Sequence, residues 1–394
     1  MTSDVETTEI LVVGGGITGC AAARELANDR DVLVLERNQI AGDASGKASG
    51  LVTFSAQRSA LPDAVRYAIE FFHSYDGSEH FEFTPRNGIE LVPEGSEQSA
   101  RSRVNAANDV GFELTYCDPD TVEERYPGVY DLSNYVGAIE YPDTGWVDPY
   151  TLTVSFQRDA EAMGAEFRTG MPVTDFLVED GVIVGVETAD GQVRASTVVV
   201  AAGWQTRDLV SDFVELPIRP FRYQTVNLRP DQPIDPETYP LGWDPVTGFY
   251  WRPEHDGELH VGGGEYLVEE PVQTRDRVKA EYRLSVATDI PDVLRGFDHA
   301  DIASEDTCPT GDAATPDALP IIDSPPEVPD GMIIATGFHG YGIMESPIAG
   351  HAIRALVTDE DPAFPLAPYA LDRFADRSPT FELVSLSEKR EKHY

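Results

Sequence analysis

Apolar residues in this chain fall into short runs separated by glycine turns and by stretches with helical spacing. Residues 10–13 form an unbroken apolar run, the pattern of a strand covered on both faces. The run enters Gly14-Gly15-Gly16, and an alanine-rich helix is expected over 17–28. A second apolar strand, 32–35, stops at Glu36. The same strand-to-glycine-turn signal returns at 196–204 and at 331–337. Helical spacing marks 63–75, 96–110, 275–287 and 346–357, and a further helix starting at Asp148-Pro149 and closed by Gly164. Residues 88–92, 173–178 and 182–188 read as strands, and 111–116 as extended. By contrast, 216–228 and 249–263 alternate in polarity and carry many aromatics, which predicts an antiparallel sheet. The small, polar stretch 41–53 reads as a loop lying against a ligand.

The expected fold is α/β. A discontinuous Rossmann-like dinucleotide domain takes residues 1–85, 146–215 and 305–377, with an antiparallel-sheet substrate domain inserted as 86–145 and 216–304. Residues 378–394 read as a C-terminal tail.

The first strand–turn–helix carries the most specific chemistry. Gly14, Gly16 and Gly19 fit G-x-G-x-x-G, and Glu36 follows Gly14 by 22 residues. Gly14 permits the tight turn, Gly16 lets the backbone approach a pyrophosphate, and Gly19 lets the helix pack on its strand. The helix N-terminus faces the phosphates. Glu36 is placed to accept from a ribose hydroxyl, which disfavours a 2′-phosphate.

Charge changes the picture of the surface. The 394 residues hold 69 acids against 29 bases, a net charge of −40. Only Lys47, Lys279, Lys389 and Lys392 are lysines. Such a surface repels nucleic acid and anionic membranes, and it destabilises itself unless salt screens it. The acids are spread along the chain, which reads as adaptation to a very salty cytoplasm. The N-terminus is acidic, without a basic targeting region, and no apolar run reaches the length of a membrane span. Cys20, Cys117 and Cys308 give neither a disulfide framework nor a metal-ligand spacing. The expectation is a cytoplasmic protein without a metal, of unknown oligomeric state.

The ordered set GGGITGCAAARELA, VLVLER, ASGKASGLV, GWVDP, VVVAAGW, TPDALPIID and IATGFHGYGIMESPIAG resembles the FAD-dependent D-amino-acid oxidase superfamily, in its glycine oxidase/sarcosine oxidase branch. The resemblance implies FAD and oxidation of an amine or amino-acid C–N bond (sarcosine-, glycine- or D-amino-acid-like) by hydride transfer to the flavin. Oxygen or another acceptor would take the electrons. It implies that Gly14, Gly15, Gly16, Ile17, Thr18 and Gly19 wrap the pyrophosphate, and that Glu36 and Arg37 sit by the ribose. Ser45, Gly46, Ser49 and Gly50 match the loop beside the flavin, and Val173 the adenine contact. Ala202 and Gly203 match the turn after the middle strand. Gly337, His339, Gly340, Tyr341, Gly342 and Ile343 match the closing loop. Alternatives within reach are a 2-hydroxyacid dehydrogenase with His339 as base, and a flavoprotein subunit without turnover.

The departures bear on the substrate. Relatives of this kind place carboxylate-binding cations where this chain has Gly340 and Met344, and an arginine where it reads TGDAA with Asp312. Arginine is the natural bidentate partner of a carboxylate. Arg222 and Arg252 survive as candidates on the roof sheet, either of which could instead hold a buried carboxylate or a carbonyl, the structural role being favoured for Arg222. His260 falls where relatives carry a lysine that assists oxygen, and Cys308 near their covalent flavin link. Tyr223, Tyr250, His260 and His339 are the candidates to orient the amine.

Overall fold

The computed structural model describes residues 6–53, 60–77, 81–268, 278–308 and 311–384. Among them two large sheets stand out. The first is parallel at its centre. Glu6–Val13 pairs in parallel with Val32–Leu35 on one side and with Gly191–Val200 on the other. Glu166–Arg168 extends the sheet beyond Val32–Leu35, and Met332–Thr336 pairs in parallel with Gly191–Val200. An antiparallel pair, Val173–Glu179 and Val182–Thr188, continues the sheet from Gly191–Val200. Asp180 and Gly181 turn that pair with φ of 51° and 83°, as a two-residue hairpin turn requires.

The apolar run of the first strand divides by alternation. Ile10 and Val12 pack with Val32 and Val34 in one core, against the helix Ile17–Leu26. Leu11 and Val13 pack with Leu33 and Leu35 in another, on the opposite face. The sheet is therefore buried on both faces here, which is why 10–13 and 32–35 lack polar positions. Gly19 brings Ile17–Leu26 close to its strand: a Cβ there would overlap the Gly14 carbonyl oxygen.

The second sheet holds nine strands among the described residues. Its middle order is Asp301–Thr307, Arg219–Arg229, Leu259–Leu267, Tyr250–Pro253 and Leu241–Trp243. Gly88–Pro93, Tyr135–Tyr141 and Thr115–Cys117 complete it, and Asp312–Ala314 also pairs with Arg219–Arg229. All its pairings are antiparallel except Leu241–Trp243 with Gly88–Pro93. The sheet thus runs past residue 304, where the substrate domain was expected to end.

Several expected elements shift. The alternating run 249–263 is a hairpin, because Gly257 donates back to the Glu254 carbonyl and splits Tyr250–Pro253 from Leu259–Leu267. The strand expected at 196–204 begins at Gly191, and 111–116 contributes only to Thr115–Cys117. The helix expected over 275–287 is Ala280–Asp289; residues 269–277 lie outside the described residues. The loop 41–53 contains a single helical turn, Ala44–Lys47. Of the tail, residues 385–394 lie outside the described residues.

Candidate flavin and substrate site

A cavity of about 480 Å³ opens at the carboxyl ends of the parallel strands, where this class of sheet binds its ligands. Gly14, Gly16, Ile17, Thr18, Glu36, Arg37 and Ser45 line it from the first third of the chain. Val173, Ala202 and Gly203 line it from the middle, and Gly337, Gly340, Gly342 and Ile343 from the end. Gly15, Gly19 and Gly46 are not among the residues that line it. Gly15 donates to Glu36 Oε2 at 2.8 Å, and a Cβ on Gly46 would overlap the Ala41 carbonyl. Each of the three has a role in shaping the turn.

The residues present fit FAD. Gly14 has φ of 111°, and a Cβ on it would sit 2.5 Å from the Ala201 oxygen. The helix Ile17–Leu26 begins at Gly16 with no side-chain cap and no acid in its first turn. Its positive end therefore stays available to an anion. Ser45 Oγ accepts from the Ile17 N–H at 2.9 Å and ties the loop 41–53 to that end. Glu36 accepts one backbone N–H on each oxygen, from Gly15 and from Asn38 (2.7 Å). Each oxygen keeps a second lone pair for a ribose hydroxyl. Arg37 is held by Asp43 at 2.7 Å. With its amide turned to satisfy both ends, Gln205 also accepts from Arg37 and donates to the Ala202 carbonyl. Trp204 lines the same cavity, and its buried indole N–H meets no acceptor among the described residues. A dinucleotide would supply one.

A second cavity, about 90 Å³, adjoins the first. Asp312, Gly340, Ile343, Ala44 and Ala48 line both, so the two are continuous. Ser49, Gly50, Tyr341, Tyr223, Tyr250, Cys308 and Met344 line the second only. The strand Arg219–Arg229 supplies Tyr223 and Thr225 as its roof.

The junction explains why residue 340 is glycine. Its φ is 83°, and any Cβ would collide with the Tyr223 hydroxyl. An arginine there has no room. Gly340 instead donates its N–H to Asp312 Oδ2 at 2.8 Å, while Ala313 N–H binds Asp312 Oδ1 at 2.7 Å. His339 precedes it at φ of 52°, a conformation costing a non-glycine residue about 1–2 kcal/mol. Three contacts hold it. Tyr223 donates to its carbonyl (3.1 Å), Thr315 N–H donates to Nδ1 (3.3 Å), and Nε2 donates to the Val384 carbonyl (3.1 Å).

Three sequence expectations, for His339, Arg252 and His260, are corrected by these contacts. His339 lines neither cavity, and both its ring nitrogens are spent on backbone, so it is no general base. Arg252 is no carboxylate anchor: Nε donates to the Ser49 carbonyl (2.7 Å) and the guanidinium pairs with Glu254 at 3.0 Å. Arg222 is buried and lines neither cavity. His260 also lies behind the cavity wall. Its Nε2 meets Ser49 Oγ at 2.9 Å and its Nδ1 meets Asn227 Oδ1 at 2.9 Å. Burial, reinforced by Arg252, holds the imidazole pKa well below its ordinary value. Glu254 stands 3.7 Å away but is engaged with Arg252, so His260 is neutral and supplies no charge for oxygen.

Of the expected orienting groups, Tyr223 and Tyr250 remain in the second cavity. Burial raises the Tyr223 phenol pKa well above its ordinary value and pushes that of Tyr250 up to about 12, so both stay protonated at neutral pH. Tyr250 bonds Ser49 Oγ at 2.8 Å, which links it to His260 and Asn227. Asp312 and Lys47 were absent from the expected site. Asp312 lay in a segment read for a missing arginine, and Lys47 in a loop read for its small residues.

No helix among the described residues is long and apolar enough to cross a membrane. No group of three or more histidine, cysteine or acidic residues there is arranged to hold a metal ion.

Comparison with known proteins agrees with this geometry. The 4-methylaminobutanoate oxidase (formaldehyde-forming) of Paenarthrobacter nicotinovorans is 28% identical over 391 residues, covering 93% of this chain and 45% of that protein. The chain thus spans about half the length of that curated relative. The crystal structure of L-proline dehydrogenase from P. horikoshii superposes with a TM-score of 0.84 at 25% identity, covering 94% of this chain and 98% of that one. Glycine oxidase from Geobacillus kaustophilus gives 0.82 at 21% identity, covering 94% and 100%. The FAD dependent oxidoreductase family model matches residues 9–356, and the chain belongs to that family.

Proposed function

We propose that this chain is a dehydrogenase acting on the C–N bond of a secondary amine, with FAD as the bound acceptor. The observation that carries this reading is the carboxylate of Asp312 at the junction of the two cavities, where a guanidinium would suit an α-amino acid. When bound, FAD supplies a two-electron acceptor for hydride.

Hydride leaves a carbon bonded to nitrogen, the nitrogen lone pair closes a C=N bond, and positive charge grows on nitrogen. Asp312, fixed by the Gly340 and Ala313 N–H groups, stabilises that charge most where it is largest. Water adding to the C=N carbon then releases a carbonyl compound and the shortened amine.

The chain of hydrogen bonds behind Tyr250 has a direction. Neutral His260 donates from Nδ1 to Asn227 Oδ1, so its Nε2 accepts from Ser49. Ser49 Oγ in turn accepts from the Tyr250 hydroxyl. The Tyr250 oxygen is left as an acceptor for the N–H of a neutral substrate amine. A 2-hydroxyacid reaction needs a base for the hydroxyl proton, and the His339 ring is already engaged.

The neutrality of His260 favours an electron acceptor other than oxygen. The relative from Paenarthrobacter nicotinovorans is named for a methylamino substrate and for forming formaldehyde, which supports an N-methyl carbon as the reacting carbon. The net charge of −40 favours work in a salt-rich cytoplasm. Melting temperature then rises as potassium chloride is added.

The test is an anaerobic titration of the flavin-loaded protein in high salt. N-methyl amines should bleach the visible flavin band. Bleaching by 2-hydroxy acids alone, or by nothing tried, contradicts the reading.

A further inference from the structure

The closing loop is tied to a part of the chain that lines neither cavity. After the short helical turn Leu371–Arg373, residues 374–384 form no helix or strand. They are held instead by separate contacts. Arg377 pairs with Glu327 at 2.7 Å. Arg219 donates from Nη1 to the Phe381 carbonyl at 2.6 Å, and its guanidinium lies over the Phe381 ring, 5.9 Å from the centre. Val384 is buried, and its carbonyl accepts from His339 Nε2 at 3.1 Å. Residues 374–384 line neither cavity.

His339 joins this segment to the substrate end through both ring and backbone. Nδ1 accepts the Thr315 N–H, so the ring proton sits on Nε2 and is donated to Val384. The ring also packs against Phe221, with 5.1 Å between centres. The His339 N–H donates at 2.8 Å to the carbonyl of Ala313, the neighbour of Asp312. The His339 carbonyl accepts from the Tyr223 hydroxyl, and the next N–H, of Gly340, donates to Asp312 Oδ2. Two groups of the second-cavity wall, Asp312 and Tyr223, are therefore bonded directly to the His339–Gly340 backbone.

A segment without ladder hydrogen bonds opens at a small free-energy cost, so each tie to it counts. A reacting group displaced by about 1 Å can lose about a hundredfold in rate.

Resting on the amine reading of the same site, we infer that His339 is a positioning residue. Its Nε2–H fastens the closing loop to the segment 374–384, and its backbone thereby holds Asp312 and Tyr223 where the substrate nitrogen needs them. His339 touches no reacting atom and acts through Asp312. A segment outside both cavities then helps to set the rate.

The test compares wild type, His339→Gln, His339→Asn and Arg219→Met as flavin-loaded full chains in high salt. Glutamine carries an amide N–H at about the reach of Nε2 and can keep the Val384 bond. Asparagine can keep the Thr315 bond but stops short of Val384. Asparagine also fits a positive φ better than glutamine does, so a role confined to the turn predicts a faster His339→Asn. The tie to Val384 predicts the reverse. At equal flavin content, anaerobic bleaching by a saturating N-methyl amine should slow by about tenfold in His339→Asn and stay within about threefold of wild type in His339→Gln. In an Asp312→Asn background most of the loss from His339→Asn should vanish, because both changes act on one charge. Hydrogen exchange gives a readout without substrate: residues 337–344 and 379–384 should both exchange faster in His339→Asn and stay protected in His339→Gln. Arg219→Met removes the Phe381 contact and carries the test if His339→Asn does not fold; it should speed exchange in 379–384 and slow bleaching by about threefold.

Asparagine as fast as glutamine overturns the inference, as does a His339→Asn loss undiminished beside Asp312→Asn. So does an unchanged rate in Arg219→Met when its 379–384 segment exchanges faster. If no amine bleaches any of these proteins, the amine reading itself fails. Exchange in 379–384 that ignores residue 339 then removes the tie as well, whereas exchange that follows it leaves the tie standing.

Discussion

The flavin end of the molecule is built largely from backbone, whereas the substrate end is built from side chains. At the flavin end Gly14, Gly16, Gly337 and Gly342 bring main chain to the cavity wall, and the N-terminus of Ile17–Leu26 faces in. At the substrate end Asp312, Tyr223, Tyr250, Met344 and Lys47 form the wall. Backbone shape constrains sequence locally, through glycines at fixed spacing. Side-chain walls leave a fold intact while their chemistry changes, which is how one scaffold serves many substrates. Glycine substitutions should therefore cost the flavin, and roof substitutions only the reaction.

The largest expected effect breaks the flavin end. Gly19→Val places a Cβ inside the Gly14 carbonyl and pushes the helix from its strand. The purified protein should be colourless, or fail to fold, as read from the ratio of visible to ultraviolet absorbance. A yellow, stable variant would mean that the close approach is dispensable.

Next comes the junction. Asp312→Asn keeps the shape and one acceptor oxygen but removes the charge facing the nitrogen. The bound flavin should remain, and kcat/KM for an amine should fall by about a hundredfold. Loss of flavin with no specific loss of rate would move Asp312 to the cofactor side of the comparison.

A smaller effect lies behind the wall. Ser49→Ala leaves His260 Nε2 and the Tyr250 hydroxyl without their shared partner. Stability should drop by about 1–3 kcal/mol in chemical denaturation. Because Tyr250 is then free to turn, kcat should fall while flavin content does not.

The smallest effect is in pH. The folded pKa of His260 is depressed below its ordinary 6.5, so below that pH the unfolded chain binds a proton that the folded one refuses. Unfolding free energy should therefore decline as pH falls below 6.5, by up to about 1.4 kcal/mol per unit, until the folded pKa is reached. His260→Gln should flatten that slope in denaturation curves taken across the acid range.

The same contrast decides what was legible in the sequence. The strand–turn–helix from Ile10, the acid at 36 and the glycine turns at 203 and 337 were readable, because their partners are near in sequence or repeat a fixed spacing. The alternating aromatics announced the antiparallel sheet, though the turn at Gly257 that makes it a hairpin was missed. The roles of His260, His339 and Arg252 were not legible. Their deciding partners, Ser49 and Val384, stand 211, 45 and 203 residues away. A histidine or arginine on a roof strand looks like chemistry until the fold shows which way its nitrogens are committed. Gly340 was readable as a departure, but the Tyr223 hydroxyl that requires it came only with the fold.

The central claim is that a carboxylate at the cavity junction, rather than a guanidinium, sets the reaction. Its most direct test is the rate of anaerobic flavin bleaching by a saturating N-methyl amine, followed by rapid mixing in wild type and in Asp312→Asn with equal flavin content. The account predicts full bleaching in both, with Asp312→Asn slower by about a hundredfold. Equal rates in the two proteins would contradict it.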